Sequence, residues 1–217
     1  MNIKKAMLLA TMALATISAA LATSAMAETE GFWSDKGTKL TGAAEFTLEG
    51  KEKFNTLGNG IECKVKAVVT ANEGGVVSST GKVHLSFPNA TNQCVGFGAT
   101  FKKCKVENIE NTSASGDLTF IYHLTDMSGG GRAIVVTEVN FSTIFENKGA
   151  ELCPDKTMLI AVPKIQAIPN NGLELSSVTF EAEGTAQVDG GEAQPNVLTT
   201  VEPLKVLAPN VGTYGIL

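Results

Sequence analysis

Hydrophobic and polar residues alternate along much of this chain, and residues 60–70, GIECKVKAVVT, are the clearest example. Alternation with a period of two predicts a β-strand with one buried face. The predicted inward residues are Ile61, Cys63, Val65, Ala67 and Val69. Turn residues flank the stretch, Asn59-Gly60 before it and Asn72-Glu73-Gly74-Gly75 after it. The pattern therefore predicts a strand between two chain reversals, with a cysteine on its inward face.

The same alternation predicts strands through most of the remaining chain. We expect them at residues 41–49, 76–87, 99–109, 118–125, 133–145, 156–168 and 173–188. The first should end at a turn, Gly50-Lys51-Glu52, and residues 133–145 should place Ala133, Val135, Val139, Phe141 and Phe145 on one face. Residues 156–168 are apolar at almost every position, which indicates burial on both faces or a bend at Pro163; we favour the bend. Helical periodicity is nearly absent.

Short strands at hairpin spacing predict an all-β fold, an antiparallel β-sandwich or barrel of about 7–10 strands. Residues 28–217 should form one β domain. From about residue 191 the chain contains Pro195, Pro203 and Pro209, so we expect a tail with a single short strand near residues 204–207 and dispensable last residues. Phe32 and Trp33 form either a lid over the core edge or an exposed anchor for a partner; we favour the lid.

Residues 1–27 have the features of a secretory signal peptide. Lys4 and Lys5 precede an apolar run at residues 6–21, and Ala25-Met26-Ala27 fits the small-residue cleavage pattern. An N-terminal membrane anchor is the less favoured alternative. We expect cleavage after Ala27 and a secreted, periplasmic or cell-surface protein without a transmembrane segment in its mature chain.

The charge of the chain excludes some classes of partner. The formal net charge is −5, and removal of Lys4 and Lys5 with the signal peptide would make it −7. Basic residues do not cluster anywhere in the sequence. An anionic surface repels phosphate backbones, so nucleic acid is not an expected partner.

Four cysteines, an even number in a chain predicted to be exported, indicate disulfides. Three pairings are possible. We expect Cys63 to pair with Cys153, and Cys94 with Cys104 across a short segment that contains two glycines. The cysteine spacing lacks the Cys-x-x-Cys pairs of zinc sites, so no metal or other cofactor is expected.

No catalytic group of residues stands out. His84 and His123 lie on the polar sides of their predicted strands, and so do the glutamate pairs that could serve a glycosidase, Glu45 with Glu49, Glu107 with Glu110 and Glu181 with Glu183. We therefore predict no catalytic residue and a protein that is not an enzyme. The first functional hypothesis is an exported structural, adhesive or surface-associated protein that contacts a cell-surface component. The alternatives are a binding protein for an apolar small molecule, a lipid or hydrocarbon, and, less favoured, a secreted hydrolase.

Three segments carry a resemblance to a known group of proteins. An inward cysteine occurs in GIECKV, two more in CVGFGATFKKCKVENIENT, and a lone cysteine follows a long apolar strand in AELCPD. Over residues 40–188 this arrangement resembles small secreted bacterial β proteins of the protein-activator-of-alkane-oxidation type and related exported proteins. The resemblance implies an exported β protein and assigns no functional residue.

Overall fold

The computed structural model describes residues 30–88, 93–101, 104–111, 118–127, 131–146, 156–171 and 174–217. The predicted signal peptide, residues 1–27, and Cys153 lie outside the described residues. The strands are β1 (Trp33–Asp35), β2 (Thr38–Lys39), β3 (Ala44–Thr56), β4 (Asn59–Ala71), β5 (Thr80–Ser86), β6 (Cys94–Phe97), β7 (Lys105–Asn111), β8 (Thr119–Asp126), β9 (Arg132–Glu146), β10 (Lys156–Pro169), β11 (Ser177–Thr179), β12 (Glu181–Val188), β13 (Gln194–Val206) and β14 (Tyr214–Ile216). A 3-10 turn, Glu73–Gly75, and a short helix α1, Gly98–Phe101, interrupt them.

The long strands close into an antiparallel β-barrel. The order around the barrel is β3, β4, β5, β8, β9, β10, β12 and β13, and β13 pairs with β3 to complete the circle. The predicted all-β antiparallel class is confirmed, and of the two architectures considered the chain adopts the barrel. Closure pairs the backbone N–H and C=O groups that an open sheet would leave at its edges.

Additional strands extend the barrel wall. Strand β4 pairs with β5 along its second half and with β6 along its first, while β9 pairs first with β8 and then with β7. The short strand β11 contacts both β10 and β13. Strands β14, β1 and β2 form a separate small sheet. No helix in the described part of the chain is long and apolar enough to span a membrane.

The predicted inward face of β4 is confirmed, because Ile61, Cys63, Val65, Ala67 and Val69 are all buried. The turn predicted at residues 50–52 is wrong. Strand β3 continues without interruption for 13 residues and pairs with β4 along its whole length. The alternation of inward and outward positions includes Gly50 and Glu52. The ladder hydrogen bonds with β4 outweigh the local preference of Gly-Lys-Glu for a turn.

Strands β9 and β10 both exchange their inward and outward faces at one position. Glu138 has a left-handed backbone, with φ of 57°, and faces Pro163 across the ladder, where the pairing has a gap. The predicted face of β9 is therefore wrong in part, because Ile134 and Val136 share the cavity side with Val139. Strand β10 continues through Pro163 and is not buried on both faces: Pro163 and Lys164 are exposed there. Proline lacks the N–H that a regular ladder needs.

The C-terminal segment is structural, which corrects the expectation of a largely irregular tail. Strand β13 spans 13 residues and connects β12 to β3, so it closes the barrel. Pro203 is tolerated because the register between β13 and β3 shifts between Glu202 and Lys205, so no regular ladder hydrogen bond is needed there. Residues beyond it form β14, where Ile216 is fully buried.

The small sheet covers the end of the barrel at which β3 begins. Trp33 is buried and packs edge-on against Phe46, with 5.0 Å between ring centroids, and against Tyr122. Its Nε1 donates a hydrogen bond of 2.8 Å to Tyr122 Oη, which in turn donates to the Thr70 carbonyl. The predicted lid is confirmed, and its Trp33 lies in the short strand β1.

Candidate functional site

The barrel encloses a cavity of about 70 Å³. Strands β3, β4, β5, β9, β10, β11 and β13 and their ends supply its walls. All lining residues but one are apolar: Leu48, Phe54, Ala67, Val69, Val83, Leu85, Phe87, Ile134, Val136, Val139, Ile165, Ala167, Val178, Phe180, Leu198 and Leu204. The exception is Glu52.

The alternation of β3 places Glu52 inside the barrel. Inward positions follow each other at Phe46, Leu48, Gly50, Glu52 and Phe54. Glycine is required at position 50, because a Cβ atom there would lie 2.8 Å from the Glu202 carbonyl oxygen of β13. Because residue 50 has no side chain, β13 can approach β3 closely. The next inward side chain on β3 is that of Glu52.

The carboxyl group of Glu52 is buried and has no partner among the described residues. The residue is 4% exposed, and within the described part of the chain the side chain makes no hydrogen bond or ion pair. Burial disfavours the charged form and raises the pKa of Glu52 to about 8. At neutral pH the group is therefore mostly a protonated, uncharged carboxylic acid that can donate one hydrogen bond.

The cross-strand neighbours of Glu52 are both engaged elsewhere. On β13 its direct partner is Thr200, whose hydroxyl accepts a hydrogen bond of 3.3 Å from the Phe180 N–H. On β4 its partner is Cys63, which is in a disulfide with Cys94. Neither neighbour provides the carboxyl group with a hydrogen-bond partner.

A polar pair lies on the inward face of β3 beyond Phe54. Thr56 donates a hydrogen bond of 3.0 Å to the Asn196 side-chain carbonyl, and both residues are buried. The amide nitrogen of Asn196 has no partner in the described structure. The cavity thus lies between the aromatic layer of Trp33, Phe46 and Tyr122 at one end and this polar pair at the other.

The disulfide differs from the predicted connectivity. Cys63 bonds to Cys94, not to Cys153, and Cys94 consequently does not bond to Cys104. The reason is the register of β4 and β6, which places Cys63 directly opposite Cys94 with 4.1 Å between the Cα atoms. Cys104 is also disulfide-bonded. Cys153 lies outside the described residues.

The residues considered for catalysis do not form a site. His84 is exposed, with its Nδ1 3.0 Å from Thr119 Oγ1, and His123 is half-buried on a different strand. Glu45, Glu181 and Glu183 are exposed, and Glu49 pairs with Lys64 at 3.4 Å on the outer surface. The side chains of Glu107 and Glu110 lie outside the described set. Among the residues that the structure describes, no cluster of His, Cys, Asp or Glu could hold a metal ion.

Sequence reasoning missed Glu52 because it assigned residues 50–52 to a turn. The sequence did contain the signal. Phe46, Leu48 and Phe54 are spaced by even numbers of residues, so they belong to one period-two series in which positions 50 and 52 also face inward. A charged residue inside such a series is unusual for a core face, and it is the feature that distinguishes this barrel interior.

Comparison with protein-family models, with curated proteins and with solved structures finds no match to this chain. The resemblance to exported proteins of the alkane-oxidation-activator type stays a prediction.

Proposed function

We propose that this protein binds a small apolar molecule inside its β-barrel. The observation that supports the proposal is the cavity, which combines apolar walls from seven strands with one unpartnered carboxyl group. Such a combination of apolar surface and a single polar group is typical of ligand sites, where the polar group orients the ligand.

The volume limits the size of the ligand. Pockets for drug-sized molecules measure roughly 300 to 1,000 Å³, and an apolar cavity that holds benzene measures roughly 150 Å³. At about 70 Å³ this cavity accommodates only a few non-hydrogen atoms without rearrangement. Within the apolar ligands considered from sequence, a lipid or hydrocarbon, we therefore favour a short molecule.

Xenon and benzene are suitable first probes, because both enter apolar cavities; xenon is a single atom that suits about 70 Å³, and benzene tests whether the walls can yield to roughly 150 Å³. Methyl resonances of lining residues such as Val69 and Leu198 should shift on addition of either probe, while those of the exposed Val76 and Val211 should not. An Ala67→Leu substitution fills the cavity and should abolish the shifts; Ala193→Leu, at an exposed position, should preserve them.

Unchanged lining resonances at saturating xenon and benzene in the folded protein would refute the proposal. The structural or adhesive role, the location outside the cytoplasm and the absence of enzymatic activity stay predictions.

A further inference from the structure

The carboxyl group of Glu52 distinguishes the cavity from a dry hydrophobic core. A buried polar group without a hydrogen-bond partner costs free energy, and native proteins almost always provide a partner. The side chain is 4% exposed, borders the cavity and has no partner among the described residues. The space beside it is where a partner from outside the chain would lie.

Among the residues that the structure describes, none supplies a cation to this group. Glu52 is the sole titratable residue among the described side chains that line the cavity. The other charged or titratable side chains described on the surrounding strands are exposed or half-exposed on the outer surface: Glu45, Glu49, Lys51, Lys53, Glu62, Lys64, Lys66, Lys82, His84, Arg132, Glu138, Lys164, Glu181, Glu183, Glu202 and Lys205. Two lysines adjoin Glu52 along the chain: Lys51 forms an ion pair with Glu202 at 2.7 Å, and the Lys53 ammonium lies 4.3 Å from the centroid of the Phe97 ring.

The structure points to a small apolar amine as the ligand, with its cationic nitrogen held by the carboxylate of Glu52. This inference rests on the proposed function. The apolar walls receive the hydrocarbon part, and the carboxylate supplies the charge-assisted hydrogen bond that an ammonium group requires. A hydrocarbon would leave the carboxyl group unpaired, and a carboxylate ligand would bring a negative charge without a balancing cation into an apolar space.

Proton balance also favours an amine. Burial raises the pKa of Glu52 to about 8, whereas an alkylammonium group, like the lysine side chain, has a pKa of about 10.4. When the ammonium ion binds, the carboxylic acid therefore loses its proton to solvent and the nitrogen keeps its own. An alcohol or ketone accepts a hydrogen bond from the acid but gains no ion pair.

This exchange predicts a pH dependence that only an amine should produce. One proton is released for each amine bound while Glu52 is protonated. Affinity for the amine should therefore rise about tenfold per pH unit up to about pH 7, level off above about pH 8, and fall once the amine itself loses its proton near pH 10.

The test is calorimetric titration of the intact protein with n-butylamine, n-butanol and pentanoate between pH 6 and 9. We expect butylamine to bind at least tenfold more tightly than butanol at pH 8, with release of one proton at pH 6 measured in buffers of different ionisation enthalpy. Glu52→Gln should remove both the preference and the pH dependence. Glu45→Gln, an exposed residue of the same strand, should change neither.

The outcomes separate the two proposals. Equal binding of butylamine and butanol in wild type, or tighter binding of pentanoate, would overturn the amine inference and leave the proposed function intact. Failure of both amine and alcohol, together with failure of xenon and benzene, would overturn both. The wild-type comparison of amine with alcohol decides the question even when Glu52→Gln fails to fold.

Discussion

Glu52 and Thr200 are direct partners across the ladder between β3 and β13, yet no hydrogen bond joins them in the structure, because the Thr200 hydroxyl contacts the backbone of Phe180. The consequence is an acidic group held in an apolar interior without a compensating contact. The stability of the folded protein should therefore depend on whether that group is protonated.

The first prediction concerns the pH dependence of folding. The pKa of Glu52 is raised from 4.5 to about 8 on folding, so the native state binds the proton more tightly than the unfolded state. Below about pH 4.5 both states are protonated and the charged form imposes no penalty. The free energy of unfolding should fall as pH rises from 4.5 to 8, by on the order of 4 kcal/mol, and stay constant above that range.

Urea unfolding of wild type and Glu52→Gln at several pH values measures this effect. The difference between the two proteins should grow through the range from pH 4.5 to 8, with the glutamine variant more stable at pH 8.5. Glu45→Gln provides the control for removal of an exposed carboxylate. Parallel pH profiles for wild type and Glu52→Gln would contradict the assignment of a buried acid.

The second prediction concerns the disulfides. Non-reducing peptide mapping should recover Cys63 linked to Cys94. With that bond formed, the sequence leaves Cys153 as the partner for Cys104, and we expect the corresponding peptide. The first bond has a sequence separation of 31, so the Cys63→Ala/Cys94→Ala double variant should lose about 3 to 4 kcal/mol of unfolding free energy in the chain-entropy description. Recovery of Cys63 linked to Cys153 would restore the pairing expected from sequence.

The third prediction concerns the C-terminal strand. Ile216 of β14 is fully buried and pairs with Trp33, so Ile216→Ala should lower the unfolding free energy by about 2 to 4 kcal/mol. Val211→Ala, at a position 53% exposed, should change it by less than about 0.5 kcal/mol. Deletion of residues 212–217 should also shift the emission of Trp33, the single tryptophan, to longer wavelength. A truncated protein with wild-type emission and melting temperature would argue against this role.

The fourth prediction concerns the hydrogen bonds beneath the lid. Tyr122→Phe removes the acceptor of the buried Trp33 N–H and the donor to the Thr70 carbonyl. We expect a loss of about 1 to 3 kcal/mol in unfolding free energy. Tyr214→Phe preserves a ring stacked on Phe46 and serves as the control. A double-mutant cycle that combines Tyr122→Phe with Trp33→Phe should give a coupling energy between the two residues. A coupling energy near zero would show that packing, without the hydrogen bond, holds the small sheet on the barrel.

The sequence by itself determined the strand content, because period-two alternation reports directly which side chains face a buried surface. The inward faces of β4 and β8 were predictable for that reason, as Phe120, Tyr122 and Leu124 are all buried. Local turn signals were less reliable. Gly50-Lys51-Glu52 has turn composition but lies inside β3, where pairing with strands on both sides outweighs local preference.

Tertiary structure alone decided which strands are neighbours, and therefore which residues meet. Cys63 and Cys94 pair because β6 adds to the first half of β4, a contact that no local pattern encodes. The role of β13 as the closing strand depends on its partners β3 and β12, not on its proline content. Glu52 became a candidate site only when closure of the barrel surrounded it with apolar residues from distant strands, because burial and the resulting pKa shift are properties of the assembled interior.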